Sequence, residues 1–237
     1  MKETQTSEYI VNEIKKCEYD IVYFVENYVK IKSISTGKEN LIVLHKKQRQ
    51  VLENMSKSKK FCLEAARQSG KTLLSQLYIL WKCNFFKSSK CVMVSINSHN
   101  CKNITNNIEY FQSTIPEWLK SVARFQSLGW TNENFITFDN GSSISLSIRS
   151  KFHPRGQNLS VLILDEYSFY SDLDPLYRTH GIRSDNSETL DFFKNSLIST
   201  MEGQLIVTGT DSPYDNVFKL IKFGGKNFTS WTKEHMN

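Results

Sequence analysis

Five side chains in this sequence have the types and neighbours needed to handle phosphate. Arg67, Lys71 and Thr72 lie in FCLEAARQSGKT (61–72), and Asp165 and Glu166 close SVLILDE (160–166). Gly70, Lys71 and Thr72 stand between an apolar run and an amphipathic one. That setting suits a loop whose backbone N–H groups, with the start of the next helix, hold phosphate oxygens. In such a loop Lys71 reaches the outer phosphates and the Thr72 hydroxyl meets Mg²⁺. Arg67 would stabilise charge on a transferring phosphate, reach a neighbour's nucleotide, or form a surface salt bridge. Gln68 adds a side-chain amide. A strand ending in two acids can offer Asp165 to the metal and Glu166 to the attacking water. Taken alone, that pair reads equally well as two solvated acids. One position departs from the usual loop: Ala65 stands five residues before Gly70, where a glycine normally eases the turn. Alanine is small, so the turn is expected to tolerate it.

These residues need a frame that brings them together. FCLEA (61–65), CVMVSIN (91–97), SVLILDE (160–166) and QLIVTGT (204–210) read as short apolar strands. TLLSQLYILWKC (72–83) predicts a helix with Leu73, Leu74, Leu77, Tyr78, Leu80 and Trp81 on its buried side, and a polar helix is expected over 99–113. FITFDNGSSISLSI (135–148) predicts a hairpin turning at Asn140-Gly141, and LDFFKNSLIS (190–199) another helix. Upstream, DIVYFVENYVKI (20–31) places Ile21, Phe24, Val25, Tyr28 and Val29 on one helical face. HKKQRQVLENM (45–55) does the same for Gln48, Val51, Leu52 and Met55. Apolar strands alternating with helices imply an α/β architecture with a central, mainly parallel sheet flanked by helices. Ligands in such sheets sit beyond the carboxyl ends of the strands. The stretches 66–72, 165–166 and 208–210 fall at such ends and are expected to form one site.

The 237 residues are 39% hydrophobic and 12% aromatic, enough for one sizeable core rather than a disordered chain. No run reaches the roughly 18 apolar residues of a membrane span. The start, MKETQTSEYI, lacks the apolar centre of a signal peptide. A soluble, intracellular protein without a membrane partner is expected. Cys17, Cys62, Cys83, Cys91 and Cys101 are odd in number and contain no Cys-x-x-Cys, and the five histidines are scattered. Buried reduced thiols are expected, not disulfides or zinc. The net charge of +6 biases the chain mildly toward polyanions such as nucleic acid. Lys46, Lys47, Lys57, Lys59 and Lys60, which flank the glutamine helix, read as DNA-phosphate contacts or as a solvated face.

ARQSGKT resembles the deviant phosphate loop of tailed-phage large terminase subunits, written Ser-Arg-Gln-x-Gly-Lys-Thr. DNGSSI (139–144) is similar to that family's hairpin. RGQNLSVLILDEYSF (155–169) resembles its Arg-Gly…Asp-Glu-x-x-Phe stretch, and LIVTGTDSP (205–213) its coupling motif. The likeness runs from about residue 17 to about 225, in the family's order. It implies a P-loop NTPase fold with a small helical N-terminal lid subdomain: a lid and adenine-side segment over 1–55 and an ATPase core over 56–237. The implied activity is an ATP-driven motor that packages double-stranded DNA into a phage head, in the cytoplasm of the infected host. By resemblance Gln48 would read adenine, and Ala66, Arg67, Gln68, Ser69, Gly70, Lys71 and Thr72 would surround the phosphates. Arg67 would trigger hydrolysis, with Lys71 and the carboxylate of Glu166 as the other catalytic groups. Thr72 and Asp165 would hold Mg²⁺, and Thr208, Gly209 and Thr210 would couple hydrolysis to movement. The implied partners are the portal protein, a small terminase subunit and further copies of the chain in a ring.

The sequence also departs from that family. Ala66 replaces the serine before Arg67, Gly209 makes the middle of the coupling motif more permissive, and the stretch 171–204 is long and polar. The chain ends at Asn237, so the family's C-terminal nuclease domain is expected to be absent, and no nuclease activity is expected of this chain. Two other readings are a helicase-like DNA translocase and a non-hydrolysing DNA-binding or assembly fragment.

Overall fold

The computed structural model describes residues 2–33, 36–120, 122, 124–129, 134–148, 151–152, 156–167, 195–196, 198–210 and 229–231. Helices α1 (Lys2–Tyr19) and α2 (Ile21–Tyr28) lead into a hairpin of β1 (Lys30–Lys32) and β2 (Glu39–Leu41), then α3 (Lys46–Lys57). Asp20 caps α2, its Oδ1 accepting from Val22 N at 2.9 Å and Tyr23 N at 3.0 Å. The expected helix over 20–31 therefore starts on time, but it stops at Tyr28. Val29 is extended and its carbonyl accepts from Ile42 N, which begins the β1–β2 pairing. Helix α1 was not expected, because Glu13 occupies a core-facing position in its apolar stripe.

Next come β3 (Lys60–Glu64), α4 (Lys71–Phe85), β4 (Lys90–Ser95), α5 (Ser98–Thr114), α6 (Glu117–Lys120), β5 (Phe125–Gly129), β6 (Asn134–Phe138), β7 (Ser143–Ile148), β8 (Val161–Leu164), β9 (Gln204–Gly209) and β10 (Thr229–Trp231). Eight strands form one sheet in the order β10-β3-β9-β8-β4-β7-β6-β5. Pairing is parallel from β10 to β7 and antiparallel through β6 and β5. The expected hairpin is β6–β7: Gly141 N donates to Phe138 O, and Gly141 takes a φ of 82° that glycine adopts without strain. Asn140 Nδ2 ties the turn to Cys83 O at 2.8 Å. Most of 190–199 lies outside the described residues, as do Arg155, Phe169 and Pro213.

Strands β3, β4, β8 and β9 are buried on both faces. Phe61 and Leu63 join one cluster, whereas Cys62 joins another with Val92, Leu162 and Val207. Helices α4 and α5 cover the first face, and α1, α2 and α3 close over α4. Trp81 Nε1 donates to Cys17 O at 2.8 Å, and the Phe24 and Phe85 rings meet edge to face at 5.2 Å. The N-terminal helices thus share a single apolar core with α4, which is buried nearly all round. The five cysteines are buried and none forms a disulfide. Among the described residues, no helix is long and apolar enough to cross a membrane. Cross-strand register aligns the carboxyl ends: Glu64 pairs with Gly209, Val207 with Leu164, and Leu164 with Val94. The rim where the site was expected is therefore continuous.

Candidate nucleotide site

At that rim the β3–β9 ladder continues one residue into the loop, with Ala65 N donating to Gly209 O at 3.2 Å. Ala65 keeps a negative φ, and its methyl is buried in the core. The tight turn comes later, where Gln68 (φ 63°) and Gly70 (φ 89°) are left-handed. A left-handed Gln68 costs about 1 kcal/mol, a strain that belongs at a site the surroundings hold fixed. Leu74 N then donates to Gly70 O at 2.9 Å, and α4 begins. Ala66, Arg67 and Gln68 form the exposed crest of the loop.

Lys71 is only 4% exposed. Its Nζ donates to Ala65 O at 3.2 Å and Ala66 O at 3.0 Å, and it lies 3.4 Å from Glu166 Oε1. A buried ammonium needs such partners. Beside it, Thr72 Oγ1 donates to Asp165 Oδ2 at 3.0 Å, and Thr208 Oγ1 donates to Asp165 Oδ1 at 2.7 Å. Glu166 N donates to Thr208 Oγ1 at 3.4 Å, and Asp165 N to Val94 O at 2.9 Å. Burial pushes the Asp165 carboxyl up to about 6. The Thr208 bond opposes this, the Glu166 charge adds to it, and the Thr72 bond and Lys71 charge oppose it again. Glu166 has a left-handed φ of 53°, and its Oε2 is buried with no hydrogen-bond partner.

The structure thus gathers Lys71, Thr72, Asp165, Glu166 and Thr208 into one contact network. Gly209 contributes its carbonyl to the base of the loop, and Thr210 is buried beside it. Ser69 Oγ is a buried oxygen with no hydrogen-bond partner. Gln48 approaches the loop from α3, its Nε2 donating to Ser69 O at 3.3 Å. Lys46, Lys57 and Lys59 are exposed, and Lys47 and Lys60 half-buried. Sequence reasoning missed two contacts, Thr208 to Asp165 and Gln48 to the loop. The order of strands brings the first pair together, and the packing of α3 against β3 and α4 the second.

A hydroxyl and a carboxylate oxygen 3.0 Å apart are both hard donors, as Mg²⁺ requires. Among the described residues, no group of three or more His, Cys, Asp or Glu side chains converges as a metal cage. The donor set fits a Mg²⁺ ion that takes few protein ligands and completes its shell with phosphate and water. A mainly parallel sheet, a loop opening a helix with Lys-Thr, and an acid pair at the end of β8, with β9 between it and β3, together define a P-loop NTPase fold.

Comparison with known proteins agrees on the fold. No protein-family profile matches the sequence. The chain superposes on the HK97 bacteriophage large terminase with a TM-score of 0.63 at 16% identity, covering 91% of this chain and 43% of that one. The large terminase ATPase domain of Thermus phage P74-26 gives 0.55 at 14% identity, with 80% of each chain covered. The UvsW helicase of bacteriophage T4 gives 0.52 at 7% identity, covering 90% of this chain and 66% of that one. In fold, the chain is similar to phage large terminase ATPase domains and also to a helicase. It spans less than half the length of the HK97 protein.

Proposed function

We propose that the chain is the ATP-hydrolysing motor domain of a viral terminase, driving double-stranded DNA into a phage head. The supporting observation is the network joining Lys71, Thr72, Asp165, Glu166 and Thr208 at one sheet rim. Lys71 attracts the outer phosphates, and the backbone N–H groups opening α4 bind their oxygens. Thr72 and Asp165 hold Mg²⁺, which when bound neutralises charge on the phosphates and helps orient them. Glu166 orients the attacking water and accepts its proton. Arg67, on the exposed crest, stabilises charge on the transferring phosphate, its own or a neighbour's. Thr208 ties β9 to Asp165 and to the backbone of Glu166, so movement of β9 changes the geometry of both acids. Gly209 and Thr210 carry that movement onward.

The partners in this reading are double-stranded DNA, a portal protein, a small terminase subunit and further copies of the chain in a ring, in the host cytoplasm. The segment 1–55 serves the adenine side and 56–237 the catalytic core. The fold likeness to UvsW favours a second reading, a helicase-like translocase.

The test is Mg²⁺-dependent ATP hydrolysis by the purified chain beside Lys71→Ala and Glu166→Gln. Hydrolysis lost in both variants supports the motor reading. ATP binding that needs Lys71, without turnover, marks an intact site that requires a ring or partner domain. Absence of ATP binding by the wild type overturns the reading.

A further inference from the structure

The side-chain amide of Gln48 makes two bonds. Its Oε1 accepts from His45 N at 3.0 Å, which closes the first turn of α3. Its Nε2 donates to Ser69 O at 3.3 Å, in a different element and 21 residues along the chain. The amide orientation follows from its partners, because His45 N–H needs the oxygen and the Ser69 carbonyl needs the nitrogen. The contact is close. A Cβ added to Gly70 would stand 2.8 Å from Gln48 Nε2, so glycine at 70 serves this approach as well as the φ of 89°. Beside the contact lies a cavity of about 250 Å³ lined by Gln48, Val51, Leu63, Ala65, Ser69 and Leu74, among others. The Gln48 bond bridges α3 to the loop at the edge of that cavity, next to the strained Gln68–Gly70 turn.

We infer that Gln48 is a positioning residue for the phosphate loop, holding the turn at 68–70 in its phosphate-binding form whatever base the nucleotide carries. The inference rests on the phosphate-site reading above. It adds to the adenine-reading role that the resemblance implies, and the two roles separate cleanly. A residue that only reads the base has no effect on a ligand without one, whereas a residue that positions the loop affects bare phosphate.

Calorimetric titration with inorganic tripolyphosphate and Mg²⁺ tests this, with ATP and GTP titrated in parallel. The proteins are the wild type, Gln48→Ala, Gln48→Met and Lys71→Ala. The expected result is tripolyphosphate binding weakened about tenfold in both Gln48 variants, or about 1.4 kcal/mol, with GTP weakened by the same factor and ATP by at least that factor. A merely structural role would shift the melting temperature and leave the affinity of the folded fraction intact. Gln48→Met keeps an apolar stem of similar length and carries the test if Gln48→Ala melts too early. Unchanged tripolyphosphate affinity in Gln48→Met, with ATP alone weakened relative to GTP, overturns the inference and leaves Gln48 as a base reader. No tripolyphosphate binding by the wild type, or binding that survives Lys71→Ala, overturns the phosphate-site reading itself, and the inference falls with it.

Discussion

Glu13 and Asp165 are both almost fully buried, one in the N-terminal helical layer and the other at the sheet rim, and their neighbours treat them in opposite ways. Glu13, in α1, is 2% exposed. Its Oε1 accepts from the hydroxyls of Tyr23 and Tyr28, and its Oε2 from Lys16 Nζ at 3.1 Å. The Tyr23 and Tyr28 bonds hold its carboxyl below the usual glutamate range, against the opposing effect of burial. Asp165 is 3% exposed and accepts two threonine hydroxyls, yet burial dominates and lifts it to about 6. Its neighbour Glu166 keeps an unpartnered buried oxygen. A buried acid whose neighbours satisfy its charge ties elements together, whereas one whose neighbours leave its charge costly is set up to receive a cation.

Substitution separates the two most sharply. Asp165→Asn is expected to lower Mg²⁺-dependent ATP turnover at least about 100-fold, because the metal ligand is lost, with no loss of thermal stability. Retained turnover would remove Asp165 from the metal site. Glu13→Ala is expected to do the reverse. It strands two tyrosine hydroxyls and should cost about 2–4 kcal/mol. At this chain length that lowers the melting temperature by about 2–4 °C per kcal/mol. Turnover per folded molecule should stay at the wild-type value, and a turnover defect would mean that the N-terminal layer acts on the chemistry.

pH should split the pair with opposite signs. The folded value of Asp165, about 6, stands above the ordinary 3.8, so the native chain holds a proton that the unfolded chain releases. Its contribution to stability is full below the unfolded value and is lost as pH rises through about 6, at most about 3 kcal/mol at 1.36 kcal/mol per unit. Glu13 is depressed below 4.5, so its contribution is present above that value and is lost as pH falls through the folded one. Urea unfolding at about pH 4.5 and pH 7 checks both. Asp165→Asn should gain on the wild type between the lower and the higher pH. Glu13→Gln should carry a deficit at both that shrinks only in stronger acid. Parallel curves for the wild type and Asp165→Asn would show that Asp165 is not raised.

Much of this was legible in the sequence, and the reasons differ by element. Strands β3, β4, β8 and β9 announce themselves because both their faces are buried, and α4 because it combines apolar residues with a Gly-Lys-Thr start. Helix α1 was hidden by Glu13, a charge whose satisfaction by Tyr23 and Tyr28 no periodicity reveals. The three-residue strands β1, β2 and β10 are too short to show a period. In the site, the residue types at the strand ends pointed to phosphate chemistry. The Thr208–Asp165 bond depends instead on β9 lying between β3 and β8, and a linear pattern does not specify strand order.

The smallest expected effect concerns the loop's odd residue. If a glycine were needed at 65 to make the turn, restoring it would improve the site. The backbone says otherwise: Ala65 extends the β3–β9 ladder, keeps a negative φ, and buries its methyl with Leu63 and Leu74, while the left-handed residues are Gln68 and Gly70. Ala65→Gly removes a buried methyl and loosens the unfolded chain, so a stability loss of about 1 kcal/mol is expected. Phosphate affinity should not rise. Tighter tripolyphosphate binding in Ala65→Gly would show that the methyl strains the loop, and would move the determinant of its turn from 68–70 back to the end of β3.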